Sequence, residues 1–395
     1  MKAIALALLL LVSVANPTYV LAANPPKEQL PSNEPILPAD AERGPKVIEN
    51  AHPTKEAPTG ATEVKDASPN TVERVDETAG EKYFRMPKSE GKFMVKANKE
   101  RKTMALALGG GGARGAAHIG VLRVFEQEGI PIDYIVGNSM GAIIGGLYSA
   151  GVDLDGLESL GSKGGLRKHY LPNPAMKIIT MPSRKLLQPF RKNRLAGIAN
   201  GKSFEKYLDE LIPAECADMS NLKIPFSAVA TNLLDGRAYR LSEGKLATAI
   251  RASASQPLLL QPVTIGDKIY VDGALRANLP ASSARDTGAD VVIAVLVDEP
   301  LREMKPKDFS TFRGVANRMG DIILAVTDEH QLQFADVIVN PDVSNITVLS
   351  DKPEDVMRAI RAGEAAARLA IPAIRKKMGL PEGAQLVQAK PAVAE

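Results

Sequence analysis

The clearest chemistry lies in Gly137-Asn138-Ser139-Met140-Gly141, a G-x-S-x-G motif. A serine in that setting is a nucleophile when it sits on a sharp strand-to-helix turn, where small neighbours let two backbones pass. A helix starting at Met140 would point its first amides at the serine and favour negative charge there. A serine hydroxyl also needs a base. His52 lies in a polar, Pro-rich stretch and is set aside, which leaves His118, His169 and His330. His118 falls on a predicted helix, where a structural role is expected, and His169 lies in the basic segment "LRKHYLPNP". His330 has the chain order of a Ser-Asp-His triad, but it stands near the end of a long polar helix. The other candidate base is Asp272 in "YVDGALRANLP". It closes a predicted strand, at the edge where open α/β sheets place ligands. Gly273 behind it permits close backbone approach.

A second constellation precedes the serine. "ALALGGGGARGAAH", residues 105–118, contains Gly110-x-Gly112-x-x-Gly115, the spacing of a dinucleotide loop. That reading needs an acid at the end of the next strand. Asp133 begins that strand, and the strand runs instead into the Ser139 motif. No Gly-Lys-Ser/Thr follows the glycines, so a phosphate loop of that kind is excluded. Glycines can also converge backbone amides on the oxyanion of a cleaved ester.

These loops need strands and helices to hold them. Thr103–Leu108 reads as a buried strand, and residues 116–127 as a helix with Ile119, Leu122 and Phe125 on one face. "IDYIV" is a second strand and "MGAIIGGLYSAG" a second helix. "FSAVAT" and "AYRL" flank an Asp235-Gly236 turn as a hairpin. "DKIYVDG", "DVVIAVLV" and "ADVIVNPDV" are further strands, and 312–332 and 353–378 are helices. Such alternation predicts a three-layer α/β/α sandwich around a mostly parallel sheet.

Composition sets the surroundings. Lys2, an apolar run from Ala3 to Val14 and small residues at Ala22 and Ala23 have the form of a secretory signal peptide over 1–23. The expected location is therefore periplasmic or secreted. Residues 24–100 are rich in Pro, Glu and Thr and read as a disordered tether. The hydrolase-like region is placed at 101–345, and 346–395 as a final helix and loose tail. Cys216 is the single cysteine, so no internal disulfide forms. A formal net charge of +3 and the absence of Trp give no nucleic-acid surface. Between Glu158 and Glu205 there is no acid, while nine basic residues run from Lys163 to Arg194 among apolar ones. That cap would suit anionic head groups, or be a solvated insertion.

The segments "GGGGARGAAHIGVLRVFEQEGIPIDYIVGNSMGAIIGGLYSAG" and "YVDGALRANLP", in that order, resemble the bacterial patatin-like phospholipases. The resemblance runs from about residue 105 to at least 280. It implies a patatin-like fold and a Ser-Asp dyad of Ser139 and Asp272. It also implies an oxyanion hole from Gly110, Gly111 and Gly112 with Arg114, supported by Gly115, Gly137, Gly141 and Gly273. The implied activity is acyl-ester hydrolysis of phospholipids or similar lipids, with transient membrane-surface contact and no metal or organic cofactor. Ala274 stands where many members carry a second glycine. A non-catalytic lipid-binding protein on the same fold is the rival class, and intact motifs argue against it.

Overall fold

The computed structural model describes residues 46–49, 94–96, 98, 100–170, 197, 199–257, 259–298, 301, 303–348, 350 and 352–381. The expected signal peptide, most of the tether, the basic stretch from 171 and the tail beyond 381 lie outside the described residues. The chain divides into two units, and 303–319 belongs to the smaller. There a short 3-10 turn, Pro306–Phe309, is closed by the Lys305 N–H donating to Asp308 Oδ2 at 3.0 Å. All that follows concerns the larger unit, to which the helix at 312–332 belongs from 320 onward.

Among the described residues nine strands form one sheet. They are β1 (Lys46–Glu49), β2 (Met104–Leu108), β3 (Tyr134–Asn138), β4 (Phe226–Asn232), β5 (Ala238–Leu241), β6 (Val263–Ile265), β7 (Lys268–Asp272), β8 (Val291–Val295) and β9 (Val337–Asn340). Their order is β1-β9-β8-β2-β3-β4-β7-β6, with β5 also on β4. The central five, β9-β8-β2-β3-β4, are parallel. β1, β5, β6 and β7 pair antiparallel at the two sides. β1 was not expected; it lies inside the stretch read as tether and pairs with β9. After β2 the chain goes to β3 on one side and later returns to β8 on the other. The crevice at the carboxyl ends of β2 and β8 is therefore a topological switch point, where such sheets bind ligands.

The helices are α1 (Ala117–Gln127), α2 (Met140–Ser149), α3 (Leu154–Ser162), α4 (Gly165–Tyr170), α5 (Lys202–Leu211), α6 (Leu246–Ser253), α7 (Ala274–Ala277), α8 (Ala281–Arg285), α9 (Phe312–Leu332) and α10 (Pro353–Met378). Strand side chains alternate between faces. Met104, Leu106 and Leu108 join a core with Ile119, Leu122 and Phe125 of α1 and Ala359, Ile360 and Ile374 of α10. Ala105 and Ala107 face the opposite way, against Ala277, Ala281 and Ala284 of α7 and α8. The result is three layers, α/β/α, over a mostly parallel sheet.

α1 and α10 meet backbone to backbone. A Cβ on Gly363 would overlap the Ala117 carbonyl, and one on Gly120 would overlap the Ile360 carbonyl. Neither obstacle is a flexible side chain, so the helices must separate to admit a methyl. Gly363→Ala is expected to destabilise the fold by about 1–3 kcal/mol, read as a lower urea midpoint. An unchanged midpoint would show that the two helices do not touch this closely.

Candidate active site

β3 ends at Asn138, and α2 starts at Met140 with Ser139 between them at φ 51, ψ −117. That conformation suits glycine and strains other residues. The flanking glycines explain why it is reached. A Cβ on Gly137 would overlap the Gly141 carbonyl, and one on Gly141 would overlap the Leu108 carbonyl. The turn is thus wedged against β2 with no room for side chains. The Ser139 N–H donates to Ser253 Oγ at 3.0 Å, which fastens the strained residue to α6.

The glycine loop leaves β2 beside this turn. A Cβ on Gly110 would stand 3.1 Å from Ser139 Cβ. The loop is tied along its length. Gly109 N–H donates to the Val295 carbonyl at 3.2 Å, and Ala113 N–H to the Val348 carbonyl at 2.9 Å. His118 Nε2 lies 2.8 Å from the Gly109 carbonyl. Burial drives the His118 pKa down to about 4, so the ring is neutral at pH 7 and its Nε2–H donates. This structural role is the one expected of it.

Two members of the expected oxyanion set are placed otherwise. Gly110 N–H donates to the Asn278 carbonyl at 3.1 Å and is not available to a substrate. The Arg114 side chain is engaged elsewhere: Nε donates to the Ile346 carbonyl at 2.7 Å, and Nη1 stands 3.7 Å from Asp298 Oδ1. Gly112, at φ 55, opens the 3-10 turn that contains Arg114, and the Asp298 carboxylate attracts its guanidinium. The loop amides without a partner among the described residues are those of Gly111 and Gly112. Gly115 serves close packing, since a Cβ there would overlap the Met140 side chain.

Asp272 ends β7 opposite Ala230 of β4 and is 5% exposed. Burial pushes its pKa up to about 6, opposed by the Ala274 N–H and by the side chains of Ser139 and Asn138. The Ala274 N–H reaches Asp272 Oδ1 at 2.9 Å. Gly273 lets this corner sit against β3 and β4, for a Cβ there would overlap Asn138 Oδ1. The structure therefore brings Ser139, Asp272 and the glycine loop together. His169 stacks on Tyr207 with ring centroids 4.1 Å apart. His330 pairs with Gln333, Nδ1 to Nε2, at 3.3 Å. Among the described residues neither Ser139 nor Asp272 is hydrogen-bonded to a histidine. Asp133, the acid of the dinucleotide reading, is occupied at the amino end of β3 by Arg101 and by the Met104 N–H. No three His, Cys, Asp or Glu side chains among the described residues group as metal ligands.

Residues 106–285 match the family model of the patatin-like phospholipases. Over those residues the chain is similar to that family. An uncharacterized NTE family protein of Mycobacterium bovis is 35% identical over 209 residues, covering 51% of this chain and 52% of the relative. Lysophospholipase nte1 of Neurospora crassa is 34% identical over 194 residues, 49% of this chain and 12% of the fungal protein. The chain thus spans about half the length of its bacterial relatives and a small part of the fungal ones. Among solved structures, VipD from Legionella pneumophila matches with a TM-score of 0.40 at 16% identity, covering 71% of this chain and 68% of that one. Human GIVD cytosolic phospholipase A2 matches with a TM-score of 0.40 at 11% identity, covering 70% and 62%.

Within the matched region, several residues that matter to the site were not singled out from sequence. Ser253 holds the Ser139 amide. Tyr170, whose hydroxyl donates to the Ala254 carbonyl at 2.7 Å, lies near enough for the Asp272 charge to raise its pKa further above what burial does. Asn278 joins the glycine loop to two carboxyl groups, Asp298 and Asp328. Of these, Asn278 had a signal available: it stands in the same "DGALRANLP" segment as Asp272.

Proposed function

We propose that the chain is a serine hydrolase of lipid acyl esters, with Ser139 as nucleophile and Asp272 as its base. The observation that carries this reading is the strained Ser139 turn beside a buried carboxylate, inside a patatin-like domain. Ser139 Oγ attacks the acyl carbonyl while Asp272 takes its proton. The carbonyl oxygen becomes an oxyanion, which accepts hydrogen bonds from the amides of Gly111 and Gly112. Each such donor is worth roughly 10²–10³ in rate. Collapse expels the alcohol, which regains the proton from Asp272, and water then releases the acid by the same route. The names of the fungal relatives point to phospholipids or lysophospholipids as the substrate class.

A fluorophosphonate probe tests the central step, because only an activated serine reacts with it. Labelling that maps to Ser139, together with release of fatty acid from lysophospholipid, is the expected result. A folded protein that neither labels nor hydrolyses would leave the non-catalytic lipid-binding reading in place. The reading also has the enzyme exported through the leader at 1–23 and meeting anionic head groups through residues 163–194. Reversing the charge of those basic residues should then lower co-sedimentation with anionic vesicles, and unchanged binding would remove that part.

A further inference from the structure

Asn278 is 3% exposed and makes more polar contacts than its position, five residues past the Asp272-Gly273 corner, would require. Its carbonyl accepts from Gly110 N–H at 3.1 Å and from Asn138 Nδ2 at 3.3 Å. Its side-chain Oδ1 stands 3.4 Å from Asn138 Nδ2, and a Cβ on Gly110 would overlap it. Its Nδ2 donates to Asp298 Oδ2 at 2.9 Å and to Asp328 Oδ2 at 3.1 Å, with the Gly110 carbonyl at 3.5 Å. Asp328 Oδ1 also accepts the Leu279 N–H at 2.8 Å. One residue therefore grips both polar groups of Gly110 and the neighbour of Ser139.

We infer that Asn278 is a positioning residue for the glycine loop, turned and held by the Asp298–Asp328 carboxyl pair. This rests on the serine-hydrolase reading, since it assigns the loop amides a task. An amide side chain has distinct donor and acceptor ends. Two carboxyl groups on one side require the Nδ2 end there, and Oδ1 is thereby turned to Asn138 and Gly110. With Gly110 held at both its N–H and its carbonyl, the next two amides, Gly111 and Gly112, inherit a set direction beside Ser139. The carboxyl pair can sit so close because one member keeps a proton. Burial first, and then the Asp298 charge, hold Asp328 protonated well above the ordinary carboxylate range. The charged group facing Asp328 is Asp298, and the Arg114 guanidinium faces Asp298 at 3.7 Å. Loss of the shared proton at alkaline pH would set two negative charges against each other beneath the loop.

The test is steady-state kinetics of the full chain on a soluble p-nitrophenyl acyl ester. Asn278→Ala is expected to lower kcat about 10²-fold with KM within about threefold, the signature of an interaction made in the transition state. Wild-type turnover with kcat of Asn278→Ala within threefold, or a loss carried by KM, would overturn the inference. No turnover by the wild type would instead sink the hydrolase reading on which it rests. If Asn278→Ala does not fold, the pH profile of Asp328→Asn decides. The wild type should lose kcat above neutral pH, and that limb should be absent from Asp328→Asn. The same alkaline limb in both proteins would overturn the inference.

Discussion

Ser139→Ala is expected to lower ester hydrolysis by roughly 10⁴-fold or more, since the residual rate comes only from the loop amides and binding. The fold should survive, because the backbone N–H bond to Ser253 is untouched and alanine tolerates φ 51 no worse than serine does. Ser139→Gly gives the sharper comparison. It removes the same nucleophile and also relieves a backbone conformation that costs a non-glycine residue on the order of 1–3 kcal/mol. Part of that gain is offset by the extra chain entropy of glycine, about 0.5–1 kcal/mol. Ser139→Gly should therefore be inactive yet about 1 kcal/mol more stable than Ser139→Ala, measured by urea denaturation. Equal midpoints would mean that the turn holds no strain. Turnover surviving in either variant would remove Ser139 from the mechanism.

The tight turns of the candidate site were legible because their parts are local. Ser139 with its two glycines, the glycine run and Asp272-Gly273 each declare a tight turn within a few residues. The central strands were legible too, since each is a short apolar run. β3 is offset from its expected span because Gly137 and Asn138 look like turn residues yet pair in register with Ala228 and Val229. α6 escaped for a different reason. Leu246 and Ile250 are four apart and buried, but its other buried residues, Ala247, Ala249, Ala252 and Ser253, are too small to extend them into a longer apolar stripe. α5 did carry a signal, with Phe204 and Leu208 four apart and buried. β1 is four residues in a polar context, and only pairing with β9 makes it a strand.

What sequence could not supply is direction. Arg114 was visible as a cation beside the glycines, but not that it points to Ile346 and Asp298. Gly110, Gly111 and Gly112 are alike in sequence, and only the Asn278 carbonyl separates the first from the other two. Asp328 lies fifty residues from Asn278, on a helix that reads only as long and polar. Long-range polar partners of this kind leave no periodic trace, since they need neither apolar spacing nor a turn.

Asp272→Asn is expected to cost about 10³–10⁴-fold in turnover, because the amide keeps the shape but cannot take the Ser139 proton. The accompanying pH profile follows from burial. With its pKa raised to about 6, Asp272 is ionised at pH 7 and becomes protonated as pH falls through about 6. The wild-type kcat/KM should thus fall about tenfold per pH unit below that point. Any residual activity of Asp272→Asn should lack the limb. Stability moves the other way. The folded pKa lies above the ordinary 3.8, so the folded state binds more protons than the unfolded chain between about pH 4 and 6. Stability from this site is full below about pH 4 and is lost as pH rises through about 6, where a buried charge must be kept. Asp272→Asn carries no such charge and retains an oxygen to accept the Ala274 N–H. It should therefore be more stable than the wild type at pH 7, with the difference shrinking toward pH 4. A variant less stable at pH 7 would show that Asp272 is held for the fold. One that is more stable and inactive would show a carboxylate kept in a dry site at a cost to folding, as a base for Ser139 requires.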